Sequence, residues 1–399
     1  MMTFEEFQKK SAFTQEELVA YSRGELIDGG AQRRLSRLPG SLLFPFHEIT
    51  LIRWSEESGT GRIEAVRRNR FDEWFYACHF LGDPVMPGCW GIDAVWQCLK
   101  FFAAWRGLEG CDKTLGIGAV SFTGQIRPGD RDVVYAVDIL GVKRIDGETL
   151  ISGKASVSVD GAPVYAVGSV EIGTAYWESD EKARRAGLSP EPPAGAQALL
   201  GRALRYDEFR ARKSFSRAEI TALSQGTLIE DPQVETGLLP SALMLEISRV
   251  ESLRCDAALG EGEAVAFRDN TPLEWFYPMN DGIKPAALSI DGVWQILGLF
   301  LAWAGHAGTG RALGLERVEV FSEITPRDRL ISYEIKIHRL FHAEATGGAI
   351  VHADASVWAD GRPVLQCYGA KVGCYKNIRY AGYPRSSEMA FGGSLKVAA

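Results

Sequence analysis

LGIGAVSFTGQIRPGDR (115–131) and LGLERVEVFSEITPRDR (313–329) are two copies of one pattern, and that duplication decides the fold. Working outward, AAWRGLEG (103–110) answers LAWAGHAG (301–308), and DEWFYACH (72–79) answers LEWFYPMN (273–280). Farther out, FTQEELVAYSRGELI (13–27) pairs with FSRAEITALSQGTLI (215–229), and VDGAPVYAVGSVEIG (159–173) with ADGRPVLQCYGAKVG (359–373). A chain of 399 residues is longer than one core usually serves, so two tandem domains are expected, at 1–176 and 213–380. Between them 177–212 reads as a linker, because LSPEPPAGA (188–196) cannot continue a helix, with a helical piece on either side of that core. The final stretch, 381–399, lacks periodicity and reads as a tail.

Each copy predicts the same elements. Thr14 with Glu17, and Ser216 with Glu219, form capping boxes that open a short helix. A long helix is predicted near 88–106 and again near 286–304, apolar almost all round and therefore buried on several sides. Strand-like runs follow at 133–140, 149–159 and 162–172, with hairpin turns at Asp160-Gly161 and Asp360-Gly361. One long helix wrapped by antiparallel strands is an α+β layout, and two such units would pack as an internal pseudo-dimer.

Composition narrows the function classes. A formal charge of -7 argues against a nucleic-acid partner, which needs basic surface, but leaves room for an acidic protein on a local basic patch. No apolar run is read as reaching the roughly 18 residues of a bilayer span, and ILGLFLAWAG (296–305) reads as part of a buried helix. Seven cysteines without a CxxC pair read as free thiols, so a cytoplasmic location is expected. His338 and His342 fall in a strand-like run without a ligand pattern, so no metal is expected, and His47, His306 and His352 read as structural.

The chemistry is concentrated in CHFLGDPVMPGCWGIDAVWQ (78–97). This stretch resembles the signature of bacterial 3-hydroxydecanoyl-carrier-protein dehydratases, which have the hot-dog fold. The resemblance extends from SRGEL (22–26) through SFTGQ (121–125) to DGAPVYAVGSVEIG (160–173), and more weakly over the second copy. It implies a tandem double hot-dog, with His79 as the base that takes the Cα proton of a 3-hydroxyacyl thioester. It assigns the carboxylic acid that supports departure of the hydroxyl to the aspartate of the long helix, Asp93 or Asp291. Such an acid works best with a raised pKa, which burial supplies. Gly88, at the helix start, has a free N–H for the developing enolate. Gln97 and Gln295 lie at i,i+4 to the two aspartates and share their helix face, and Cys89 joins them as a supporting residue. The resemblance also implies a cis peptide between His79 and Phe80.

The second copy departs from the signature. Asn280 stands where His79 does, Ala286 where Gly88 does, and the segment between them is three residues shorter. Asp291 and Gln295 are retained. The resembled family builds each homodimer site from the His of one protomer and the Asp of the other. Carried over, that gives one complete site, His79 with Asp291, and a degenerate one, Asp93 with Asn280. KPAALSIDGVWQ (284–295) is also similar to the second-half motif of polyketide synthase dehydratase domains, themselves double hot-dogs, and paired dehydratase domains of polyunsaturated fatty acid synthases offer a similar arrangement. The implied reaction is dehydration of carrier-protein-bound 3-hydroxyacyl chains to trans-2-enoyl products, without a cofactor, by a monomer or homodimer. Isomerisation of trans-2 to cis-3 products, thioester hydrolysis and non-catalytic acyl binding stay open as alternatives. An acyl carrier protein is expected to dock on Lys143, Arg144, Lys336 and Arg339, where the resembled family carries its basic patch.

Overall fold

The computed structural model describes all residues except 30–33, 177–201, 232–233, 235–238, 307, 344–347, 376–389, 392–393 and 396–399. The first copy begins with two short helices, α1 (Phe4–Lys9) and α2 (Gln15–Ser22). Both carry a formed capping box, Thr3 with Glu6 and Thr14 with Glu17. Strands β1 (Glu48–Ser55) and β2 (Thr60–Arg68) precede the long helix α3 (Gly88–Trp105), and β3 (Lys113–Phe122), β4 (Asp132–Ile145), β5 (Glu148–Val159) and β6 (Ala162–Gly173) follow it. The second copy repeats this order. Its short helices are α4 (Tyr206–Ala211) and α5 (Arg217–Ser224), its leading strands β7 (Arg249–Asp256) and β8 (Glu261–Asp269), and its long helix α6 (Ala286–Trp303). It ends with β9 (Thr309–Val320), β10 (Leu330–Ala343), β11 (Gly348–Ala359) and β12 (Arg362–Tyr375).

Helix α4 lies within the stretch expected to be linker. It is the counterpart of α1: Leu204 bridges Ile229 as Met2 bridges Ile27. The rest of that stretch up to residue 201 is outside the described residues, as is the expected tail apart from the two-residue strands Ala390–Phe391 and Ser394–Leu395.

The strands form one twelve-stranded antiparallel sheet in the order β1-β2-β4-β5-β6-β3-β9-β12-β11-β10-β8-β7. The halves join edge to edge where β3 meets β9, with Gly116 opposite Glu319 and Gly118 opposite Arg317. Glycine is needed on β3 there: a Cβ on Gly116 would lie 2.8 Å from the Val318 carbonyl oxygen. Each half curls around its own long helix. The alternation that the strands show in sequence is the alternation of burial, as along β11, where every second residue is buried against α6. The hairpins at Asp160-Gly161 and Asp360-Gly361 have positive φ at both residues, the conformation a two-residue turn requires.

Helix α6 corrects one sequence expectation. By length and composition it is apolar enough to cross a membrane, with a mean hydropathy of 1.5 over its 18 residues. The run is easy to miss because Asp291 interrupts it. In the fold 89% of that span is buried, so its apolarity is explained by the core it fills. The architecture is α+β, a tandem double hot-dog with α3 and α6 packed against each other beneath one continuous sheet.

Candidate active site

His79 follows a single 3-10 turn, Trp74–Ala77, and its peptide bond to Phe80 is cis. The loop that carries it is tied to the other half. Cys78 accepts a backbone hydrogen bond from Ser241 N at 2.8 Å, and Met279 accepts one from Gly40 N at 2.9 Å. Trp74 meets Trp275 edge to face at 5.2 Å between these two contacts. Asp83, in the same loop, pairs with Arg311 of β9 at 2.5 Å. The loop that carries His79 is therefore clamped by the other half.

The His79 ring is buried, and its Nδ1 lies 2.9 Å from the Val85 carbonyl oxygen. That carbonyl can only accept, so Nδ1 carries the proton and Nε2 keeps its lone pair. Burial drives the imidazole pKa down to about 4; the Arg311 charge works in the same direction and the Val85 bond against it. The ring is thus neutral near pH 7, the state a base needs.

Asp291 is the one buried acid of α6, and it lines the same cavity as His79 and Gly88. Its carboxylate accepts a 2.6 Å hydrogen bond from Gln295 Nε2. Gln295 is held in turn: Nε2 also donates to Met244 O at 2.7 Å, and Oε1 accepts from Glu246 N at 2.9 Å. The Cys89 thiol of α3 reaches Asp291 across the interface between the halves. Burial lifts the Asp291 pKa to about 7. Glu246 adds to that shift, while the Gln295 and Cys89 bonds and the Lys284 charge oppose it. Here a neutral imidazole and a carboxyl whose pKa is raised by burial line one cavity. Gly88 begins α3 after Pro87, so its N–H is among those with no intrahelical acceptor. A Cβ at Gly88 would come within 2.9 Å of the Phe122 ring.

A second cavity lies at the pseudo-symmetric position, with Asp93, Gln97, Asn280 and Ala286 in its wall. The two cavities differ in chemistry: one holds His79 and the other Asn280. Asn280 donates from Nδ2 to Ile283 O at 2.9 Å, which copies the anchoring of His79 but leaves no base. Burial lifts the Asp93 pKa to about 6, opposed by Lys100 and by Gln97, whose Nε2 is 3.4 Å away. Gln97 Oε1 is buried with no hydrogen-bond partner.

The four basic residues expected to form a docking patch are exposed but are not brought together. Lys143 and Arg144 are on β4 and Lys336 and Arg339 on β10, the third and tenth strands of the sheet. His338 pairs with Asp354 at 2.9 Å, and no group of metal-ligating side chains occurs among the described residues.

Three features were not singled out from sequence. One is the buried cluster of Lys284, Glu246 and Arg268, with Lys284 Nζ 2.8 Å from Glu246 and 3.0 Å from Ser289 Oγ. The second is the Arg311–Asp83 clamp, and the third is Gly298 of α6 in the cavity wall. The signal for the first lay in the repeat itself, which sets Lys284 against Met86 and Glu246 against Pro45.

Residues 38–168 and 239–368 each match the FabA-like domain family. Among solved structures, the dehydratase domain from the CurJ module of the curacin polyketide synthase is 14% identical, covering 84% of this chain and 98% of that one, with a TM-score of 0.45. The dehydratase domain from the terminal module of the rifamycin polyketide synthase is 11% identical, with coverages of 84% and 97% and a TM-score of 0.46. A trans-AT polyketide synthase dehydratase domain from Brevibacillus brevis is 11% identical, with coverages of 79% and 94% and a TM-score of 0.43.

Proposed function

This chain belongs to the FabA-like domain family, and from that premise we propose that it dehydrates 3-hydroxyacyl thioesters, using His79 and Asp291 at one site shared between its halves. The observation that carries the reading is that these two side chains, from different halves, line one apolar cavity while the matching cavity holds Asn280.

In this reading the substrate enters with C2 beside His79 Nε2 and its 3-hydroxyl beside Asp291. Nε2 takes a proton from C2, and the thioester carbonyl becomes an enolate whose oxygen accepts from Gly88 N–H. Collapse of the enolate forms the C2–C3 double bond and breaks the C3–O bond. Asp291 gives its proton to the departing hydroxyl, so water leaves. The proton on His79 passes to Asp291, which restores both groups. Gln295 and Cys89 position the Asp291 carboxyl.

The substrate is proposed to arrive on an acidic acyl carrier protein. Lys143 and Arg144 on β4 and Lys336 and Arg339 on β10 each lie two strands from a strand of the cavity wall, β6 and β12. Reversing the charge at Arg339 is expected to raise KM for carrier-linked substrate and not for a pantetheine analogue.

Mass spectrometry of 3-hydroxyacyl-carrier proteins incubated with the protein tests the function. Loss of one water is the expected product. A shifted double bond, free acid or unchanged substrate would replace the reading with isomerisation, hydrolysis or acyl binding.

A further inference from the structure

The two long helices present the same face to the two cavities, but the faces end differently. On α3 the cavity wall is Asp93, Gln97 and Lys100. On α6 it is Asp291, Gln295 and Gly298, and it continues past the glycine to Ala302. Gly298 thus occupies the turn that Lys100 occupies in the other half. A lysine there places an ammonium in the path, whereas a glycine leaves the path open.

Gly298 is not a packing glycine. A Cβ added to Gly91 would lie 2.3 Å from the Tyr165 ring, and one added to Gly292 would lie 2.7 Å from the Tyr333 hydroxyl. At Gly298 an added Cβ would meet nothing within 4 Å. Nor is the residue buried, although both neighbours are. Glycine weakens a helix interior relative to alanine, and here sterics would admit alanine, so the space itself is the feature that glycine preserves.

We propose that Gly298 sets the length of acyl chain this site accepts, and that the site takes 3-hydroxyacyl tails long enough to run along α6 past it. The proposal rests on the reading of the site given above. Seven residues of helix separate Asp291 from Gly298, roughly 10 Å at 1.5 Å per residue. An extended chain advances about 1.2 Å per bond, so a tail passes Gly298 about eight bonds beyond C3. Leu299, Leu301, Leu223 and Val372 also line this cavity, which suits an alkyl tail.

The test uses Gly298→Leu and Gly298→Ala with pantetheine thioesters of 3-hydroxybutyrate, which stops short of Gly298, and 3-hydroxytetradecanoate, which passes it. Gly298→Leu should lower kcat/KM for the long substrate by at least about tenfold and leave the short one within about twofold, with Gly298→Ala between. Equal losses on both substrates, or no loss on the long one, would overturn the proposal. Calorimetric binding of tetradecanoyl-pantetheine separates this inference from the proposed function. Weaker binding to Gly298→Leu in a protein that never releases water keeps the chain-length role and removes the dehydratase. Unchanged binding and turnover of both chains does the reverse.

Discussion

Around Asp291 every hydrogen-bonding atom of Gln295 is used; around Asp93, at the matching place in the first half, Gln97 Oε1 is buried without a partner. The difference comes from one backbone position. Glu246 supplies an N–H to Gln295, and its counterpart Pro45 has none to supply. The glutamate side chain then brings a charge into the core, which Lys284 and Arg268 neutralise, and Ser289 gives Lys284 a further partner. In the first half the matching residues are Pro45, Met86 and Gly91, and no such cluster is needed. In the proposed reading one half supplies the base and its loop, and the other a carboxyl fixed by its neighbours.

The largest effect should come from the base. His79→Asn, the residue the second half carries, is expected to lower turnover by about 10²–10⁴ with the fold unchanged by circular dichroism. Turnover within a few-fold of wild type would break the contrast between the two cavities.

Next is the charge cluster that only the second half holds. Glu246→Gln strands a fully buried Lys284, and a loss of about 3–5 kcal/mol in denaturant unfolding is expected. Replacing the pair together, Glu246→Leu with Lys284→Met, should recover most of that loss. A double variant as unstable as the single one would show that the cluster is not the source.

The pH profile should report the paired groups. His79 must be neutral and Asp291 protonated, so kcat/KM should rise with pH through about 4 and fall through about 7. A falling limb that stays near 7 in Asp291→Asn would assign it to another group.

The smallest change is expected where the first half is already imperfect. Gln97→Leu removes an acceptor that has no partner together with one long 3.4 Å bond to Asp93, so stability should change by no more than about 1 kcal/mol and activity should hold. The matching Gln295→Leu should lower activity, because it releases Asp291 from its positioning bond.

Much of this molecule is written openly in its sequence. The long helices, the hairpins at Asp160 and Asp360 and the capping boxes at Thr14 and Ser216 follow from local chemistry, which acts within a few residues. The capping box of Thr3 and Glu6 was as legible and announces α1; its counterpart α4 falls where a helical piece flanking the proline-rich core was expected, but that piece was assigned to the linker and not to the second copy. The pairing of His79 with Asp291 in one cavity is where the resemblance pointed. Residues that meet only through the fold were not legible: Asp83 with Arg311, and Glu246 with Lys284, lie far apart in the chain. The span of α6 was legible, but its membrane-length apolarity was missed because one buried carboxylate, Asp291, interrupts the run.

The shared site is tested most directly by turnover of Asp291→Asn beside Asp93→Asn, both checked for folding. If His79 works with the carboxyl in its own cavity, Asp291→Asn cripples dehydration and Asp93→Asn leaves most of it. A larger loss for Asp93→Asn than for Asp291→Asn would contradict the account.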